Sequence, residues 1–342
     1  MRKDTLLLFE QIKTALRPES AFIKTLTAIY LFDFLDRLRV RRFPENWLEI
    51  LGKEVDKLRE ISNLIRDCYD IPPNDLNDWS EQHPFSSFEA QTGNVYFQLW
   101  KDFSKEEYFS QATALLQERF VRNQIDLSPF QNALDAGCGG GRYSLALRKI
   151  GLPKVTALDV SPDSIQFARK MSVYPDDEVR FLTGSVLQLP FPDSSFDFVF
   201  SNGVLHHTAS TEKGLTEIFR VLRPGGCCWL YLYGGKESLF WDIADLCREL
   251  LADVPQGYSQ DLMKVMGYPA GRIFHRADFW YVPVNRRYFS YEVEDLLEQA
   301  GFHTYKRLAR GTGYDWDEII FQAPHIDPYI YGEGEMRYWL CK

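Results

Sequence analysis

No stretch of about 20 consecutive apolar residues occurs in this chain, so no transmembrane helix is expected. The opening Met1-Arg2-Lys3-Asp4 is followed by neither a long apolar run nor a small-residue cleavage site, so no secretory leader is expected. Basic residues are in deficit: 39 Lys and Arg stand against 48 Asp and Glu, a formal charge of −9. Phosphate-backbone binding rests on clustered cations, so nucleic acid is not an expected partner. The one basic run, Arg37 to Arg42, is short and interleaved with apolar residues, and reads as a solvated helix face. Cysteine is also scarce. Cys68, Cys138, Cys227, Cys228, Cys247 and Cys341 form no C-x-x-C pair and show no disulfide-like spacing, which suits a reducing compartment. Together these absences predict a cytoplasmic protein with no membrane partner. No internal repeat or low-complexity tract is visible.

What is present fits one large domain or a core with appendages. The chain has 342 residues, and its 45% hydrophobic content supplies a sizeable core. Residues 1–125 read as a helical accessory or lid region. Apolar residues recur at helical spacing there (Leu8, Ile12, Leu16; Leu31, Phe34, Leu35, Leu38; Leu51, Val55, Leu58, Ile61, Ile65), interrupted by Pro18, Pro44, Pro72 and Pro73. Residues 70–95 read as loop, and 96–125 as helical again. From residue 132 strands and helices alternate: strands at 132–136, 154–159, 179–183, 197–201 and 227–233, helices at 143–150, 162–171 and 211–222. Ser161 is the expected N-cap of the second of these helices. Such alternation predicts βαβ units and a mostly parallel sheet. Residues 235–285 break the pattern as a helical insertion ending in an aromatic loop, Phe279-Trp280-Tyr281-Val282-Pro283. It resumes with a helix at 291–299 and strands at 302–308 and 318–322, the last antiparallel. Residues 324–342 read as an aromatic, turn-rich tail.

The most informative segment is Ala133-Leu134-Asp135-Ala136-Gly137-Cys138-Gly139-Gly140-Gly141. It is a buried strand ending in an acid, then a turn with almost no side chains, which lets backbone approach a nucleotide-like ligand. It does not complete the dinucleotide fingerprint G-x-G-x-x-G, because Arg142 stands at the third glycine. Asp159, at the end of the next strand and about 20 residues on, is suited to accept hydrogen bonds from ribose hydroxyls.

With four further segments in order, this turn resembles motif I of class I S-adenosylmethionine (SAM)-dependent methyltransferases. The others are Ala157-Leu158-Asp159-Val160-Ser161, Gly184-Ser185-Val186-Leu187-Gln188-Leu189-Pro190-Phe191, Phe196-Asp197-Phe198-Val199-Phe200-Ser201-Asn202-Gly203-Val204-Leu205-His206-His207 and Arg220-Val221-Leu222-Arg223-Pro224-Gly225-Gly226. The resemblance covers roughly residues 130–323, within an expected core domain of residues 126–323. It implies a Rossmann-like, doubly wound, seven-stranded α/β sheet with a C-terminal antiparallel strand. It implies SAM as cofactor and S-adenosylhomocysteine (SAH) as product. The cofactor contacts it implies are Asp135, Gly137, Cys138, Gly139, Asp159, Val160, Ser185, Val186, Asn202 and Leu205. Many relatives carry Asp where Ser185 stands; a hydroxyl is a weaker acceptor for the adenine amine.

Methyl transfer from a sulfonium is an in-line displacement from an already activated donor, so positioning and exclusion of water dominate. A base is needed only for an acceptor that carries a proton. His206 and His207 are the catalytic candidates, because the loop after the fourth strand faces the transferred methyl in relatives. Each is either base, substrate ligand or a packed side chain. Where ubiquinone-biosynthesis relatives carry acids, Gly203 and His206 stand here, so no metal is expected. His83, His275, His303 and His325 are scattered and read as solvated or core residues. Tyr96 and Trp100 from one side, Trp280 and Tyr281 from the insertion, and Tyr314 are candidate substrate walls. In the segment Tyr314-Asp315-Trp316-Asp317-Glu318, the acids either bind a cationic or hydroxylated substrate or form a polar turn. A small-molecule acceptor methylated at O, N or C is the leading expectation. A non-methylating SAM enzyme on the same fold, by ring closure or cyclisation, and a non-catalytic SAM-binding subunit are the alternatives. The N-terminal helices could support a homodimer.

Overall fold

A computed structural model of the chain describes residues 2–15, 20–40, 46–68, 76, 88–101, 103, 109–324 and 327–342. Leu16, Pro18, Arg41, Arg42, Pro44, Pro72, Pro73, His83 and His325 lie outside the described residues. In chain order the helices begin with α1 (Arg2–Ala15), α2 (Ala21–Val40), α3 (Trp47–Cys68), α4 (Phe88–Trp100) and α5 (Gln111–Asn123). Next come β1 (Asn132–Ala136), α6 (Arg142–Ile150), β2 (Lys154–Asp159), α7 (Pro162–Met171), β3 (Val179–Thr183) and β4 (Phe196–Asn202). After a short 3-10 turn at Leu205–His207 follow α8 (Thr211–Val221) and β5 (Leu222–Leu232). The rest is α9 (Leu239–Leu250), α10 (Gln256–Val265), α11 (Ala270–Tyr281), α12 (Ser290–Ala300), β6 (Thr304–Arg307), α13 (Trp316–Gln322), α14 (Asp327–Tyr331) and β7 (Met336–Cys341). Among the described residues no helix is long and apolar enough to cross a membrane.

The chain divides into two compact units. One is helical and joins residues 1–84, 237–281 and 325–332. The expected insertion and the N-terminal helices thus form a single body, while residues 85–125 belong with the sheet. In the helical unit the rings of Phe32, Phe240, Phe279 and Trp280 interlock, with Trp280 edge-on to Phe32 at 5.2 Å. Phe279, Trp280 and Tyr281 were expected in a loop but close α11. Their apolar faces recur at helical period and bury against α2 and α9.

The second unit holds a seven-stranded sheet in the order β3-β2-β1-β4-β5-β7-β6. β1 to β5 run parallel, and β7 runs antiparallel between β5 and β6. The central strands are buried on both faces, which is why Phe198-Val199-Phe200 and Cys228-Trp229-Leu230 read as unbroken apolar runs. Ser161 caps α7, accepting from the Ser164 N–H, with Pro162 at the first helical position. Two expectations are corrected here. Residues 318–322 are helical, and the antiparallel strand is 336–341, within the expected tail. Cys227 and Cys341, paired across β5 and β7, form a disulfide, against the expectation of six unpaired thiols. A separation of 114 residues hid that pairing.

Sheet order reverses between β1 and β4. Loops leaving the carboxyl ends of β1, β2 and β4 converge at this switch point, where open α/β sheets bind ligands.

Candidate active site

The turn after β1 is held down from below. The Gly137 and Cys138 N–H groups both donate to the Leu158 carbonyl, at 2.8 and 3.0 Å. The Gly139 N–H donates to Asp159 Oδ2 at 2.8 Å, and the Ser161 N–H to Asp159 Oδ1 at 2.9 Å. One carboxylate therefore ties the loop after β1 to the loop after β2. Each oxygen accepts one backbone proton and keeps lone-pair capacity for another donor. The Gly184 N–H donates to the Asp159 carbonyl at 2.9 Å, which brings the loop after β3 to the same strand end. Gly139 has a φ of +53° and lies against Trp100: a Cβ there would come within 2.5 Å of the indole Cζ2. No side chain fits that position.

Asp135 sits beneath the turn, 2% exposed, and accepts from Ser144 Oγ at 2.6 Å. Burial pushes its carboxyl up to about 7; the Ser144 bond opposes this and the Asp159 charge adds to it. A raised carboxyl favours the folded state most when protonated. Its contribution is complete below 3.8, the ordinary value, and is lost as pH rises towards about 7. Asp135→Asn should therefore flatten the fall in melting temperature over that interval and be the more stable protein at pH 8, by up to about 4 kcal/mol. A parallel pH dependence in both proteins by thermal denaturation would contradict this. The Cys138 thiol is buried, and burial with the two nearby carboxylates holds it neutral.

The loop after β4 separates its two histidines. His206 is fully buried and stacks on Tyr233 at 3.8 Å. Its Nδ1 accepts the Tyr233 N–H at 3.1 Å, so a neutral ring carries its proton on Nε2, and that atom has no protein partner among the described residues. Burial, with His207 beside it, holds this imidazole well below its usual range. His207 has the opposite tautomer. Its Nδ1–H donates to the Val284 carbonyl at 2.7 Å, leaving Nε2 to accept the Tyr96 hydroxyl at 2.8 Å. Tyr96 stacks on Trp100 at 5.2 Å. Further along α4, a Cβ on Gly93 would come to 3.0 Å from Ser161 Cβ. α4 thus lies against the loops after β1, β2 and β4.

The remaining candidates are dispersed. The Ser185 hydroxyl accepts the Leu187 N–H at 3.1 Å. Val160 is half-buried beside Gly93, and Asn202 Oδ1 accepts from the Trp229 indole at 3.0 Å. The side chains of Val186 and Leu205 are in the core of the sheet unit. Trp280 packs within the helical unit, where the Tyr281 hydroxyl meets Ser259 Oγ at 2.6 Å. Tyr314 is exposed. Asp315, Asp317 and Glu318 are not free for a substrate: Arg119 and Arg337 take Asp315, Arg337 approaches Asp317, and Arg310 and Arg122 take Glu318. Sequence reasoning missed Ser144, Tyr233 and Val284, whose roles rest on contacts that no local pattern signals. Among the described residues no group of three His, Cys, Asp or Glu side chains could hold a metal ion.

A family model described as "Methyltransferase domain" matches residues 134–230. Among curated proteins, the chain is 29% identical to a sterol 24-C-methyltransferase of Pneumocystis carinii over 50% of each chain. It is 30% identical to the O-methyltransferase cnsE of Penicillium expansum over 51% of this chain and 63% of that one. The chain spans about half the length of the first of these and less than two thirds of the second. A solved structure of a SAM-dependent methyltransferase from Aquifex aeolicus aligns with 71% of this chain and 95% of its own, at 19% identity and a TM-score of 0.40.

Proposed function

We propose that this chain, whose residues 134–230 match a methyltransferase domain, is a class I S-adenosylmethionine-dependent methyltransferase that transfers a methyl group to a small-molecule acceptor. The observation that carries the reading is the Asp159 carboxylate, which bridges the Gly139 and Ser161 N–H groups at the switch point of the sheet. The site residues fit the donor. Asp159 keeps capacity for the ribose hydroxyls, the turn at Gly137–Gly141 is free of bulky side chains, and α6 begins there without a side-chain cap. The Ser185–Val186 turn, which follows the Gly184 N–H bonded to the end of β2, would flank the adenine. In this reading Asn202 acts through its bond to Trp229, fixing the end of β4.

The donor supplies a sulfonium methyl, activated before it binds. The protein's part is to hold the acceptor in line and to keep water out. Tyr96 and Trp100 would form the acceptor side of the site from α4. A small-molecule acceptor is consistent with the net charge of −9 and with the sterol acceptor of the Pneumocystis carinii relative.

Titration calorimetry of the folded protein with SAM and with SAH tests the reading. Saturable one-to-one binding of both is expected. No heat from either ligand, with folding verified by circular dichroism, would overturn it.

A further inference from the structure

Two adjacent histidines follow β4, and their hydrogen bonds give them different chemistry. His206 cannot take a proton at Nδ1, which is engaged by the Tyr233 N–H, nor at Nε2, which already carries one. His207 has its accepting nitrogen turned to a phenol, and its other nitrogen is braced on a carbonyl. A ring oriented through Nδ1–H on a fixed acceptor, with Nε2 on a hydroxyl, is the arrangement of a general base and its orienting group. The hydroxyl in question belongs to Tyr96, half-buried on α4 and stacked on the indole that touches Gly139.

Resting on the methyltransferase reading above, we propose that Tyr96 is the acceptor-facing end of a proton relay ending at His207 Nε2, and that the acceptor is a hydroxyl. As the acceptor O–H bond breaks, its proton passes to Tyr96 Oη while the Tyr96 proton passes to His207 Nε2. The freed oxygen pair forms the O–CH3 bond, and the pair of the broken C–S bond stays on sulfur. The products are a methyl ether, SAH and the His207 imidazolium, whose Nδ1–H remains on the Val284 carbonyl. Charge balances, since the positive charge leaves sulfur and ends on the imidazole. A carboxylate acceptor would arrive without a proton and would leave this relay without a task. His206, neutral with an unpartnered Nε2–H in a buried position, is a hydrogen-bond donor and not a base.

The test uses the full chain, radiolabelled SAM and a small-molecule extract of the source cells, followed by the pH dependence of transfer to the labelled acceptor. Label in a base-stable ether is expected. Wild-type turnover should reach a plateau once His207 is neutral. Tyr96→Phe and His207→Gln should fall at least 30-fold at neutral pH, lose the plateau and keep rising with hydroxide, while SAH affinity by calorimetry stays within threefold. An independent readout is the imidazole nitrogen spectrum. In Tyr96→Phe the His207 Nε2 resonance should move towards that of an unbonded lone pair, with the His206 signals unmoved. The relay is overturned by label only in esters or C–CH3 groups, by no labelled product, by an unchanged plateau in Tyr96→Phe, or by an unmoved His207 resonance. SAH binding that persists in any of those cases leaves the methyltransferase reading standing; its absence removes both.

Discussion

Asp159→Ala should abolish measurable SAH binding, with an expected loss of two to three orders of magnitude in affinity. In the native protein the carboxylate accepts two backbone protons, from Gly139 and Ser161, and in the proposed complex it also grips the ribose. Hydrogen bonds to a charged group contribute about 1.5–3 kcal/mol each, so losing two to the ligand costs about 3–6 kcal/mol of binding, and the lower half of that range gives the expected loss. The same change also unties the loop after β1 from the loop after β2, which adds disorder at the glycine turn. Asp159→Asn separates the two effects. Its carbonyl oxygen can keep one backbone donor, but its amide faces the other N–H with a donor, so it should bind less tightly than wild type and better than the alanine variant. Calorimetry with SAH reads the order. Binding by Asp159→Ala within threefold of wild type would remove the ribose assignment.

The parts of this site that could be read from sequence are those whose partners lie close along the chain or follow from strand order. Ser161 bonds Ser164 three positions on, and the acid at 159 follows the glycine turn by one βαβ step. Right-handed crossovers then fix where those strand ends meet. Residues 318–322 show the limit of periodicity. Glu-Ile-Ile-Phe-Gln is a short apolar run that fits a strand or a helix. A signal stood at its start: Asp315 is at the N-cap position and Glu318 in the first turn, where negative charge favours a helix. The contrast between His206 and His207 was not legible at all. It depends on a tyrosine 111 residues earlier and a carbonyl 77 residues later.

The strand at 336–341 was hidden by its own arginine, and that residue carries the largest expected effect on stability. Arg337 lies in an interior strand next to the sheet edge, 1% exposed, a position that a lone cation would not occupy. Its guanidinium donates to Glu335 at 2.6 Å and Asp315 at 3.0 Å, approaches Asp317 at 3.5 Å, and lies over the Tyr231 ring at 4.7 Å. Burial would raise the Asp315 carboxyl, yet Arg337 and Arg119 outweigh it and hold it below the usual range. Burial, then Glu335, push Asp317 well up, which marks that pair as short of positive charge even in the native protein. Arg337→Met would leave Asp315 to Arg119, leave Asp317 to the more distant Arg307 at 3.9 Å, and strand Glu335. Breaking a buried pair in this way costs about 3–5 kcal/mol, enough to threaten folding at 37 °C. A carboxyl held low contributes stability above its ordinary value, 3.8 for Asp315, and loses it as pH falls through the native value. The deficit of Arg337→Met in urea denaturation should therefore be full at pH 7 and shrink on acidification. Adding Glu335→Gln, which removes one stranded charge, should recover part of it at pH 7. A deficit that stays constant with pH, or is indifferent to Glu335→Gln, would mean that Arg337 acts by packing alone.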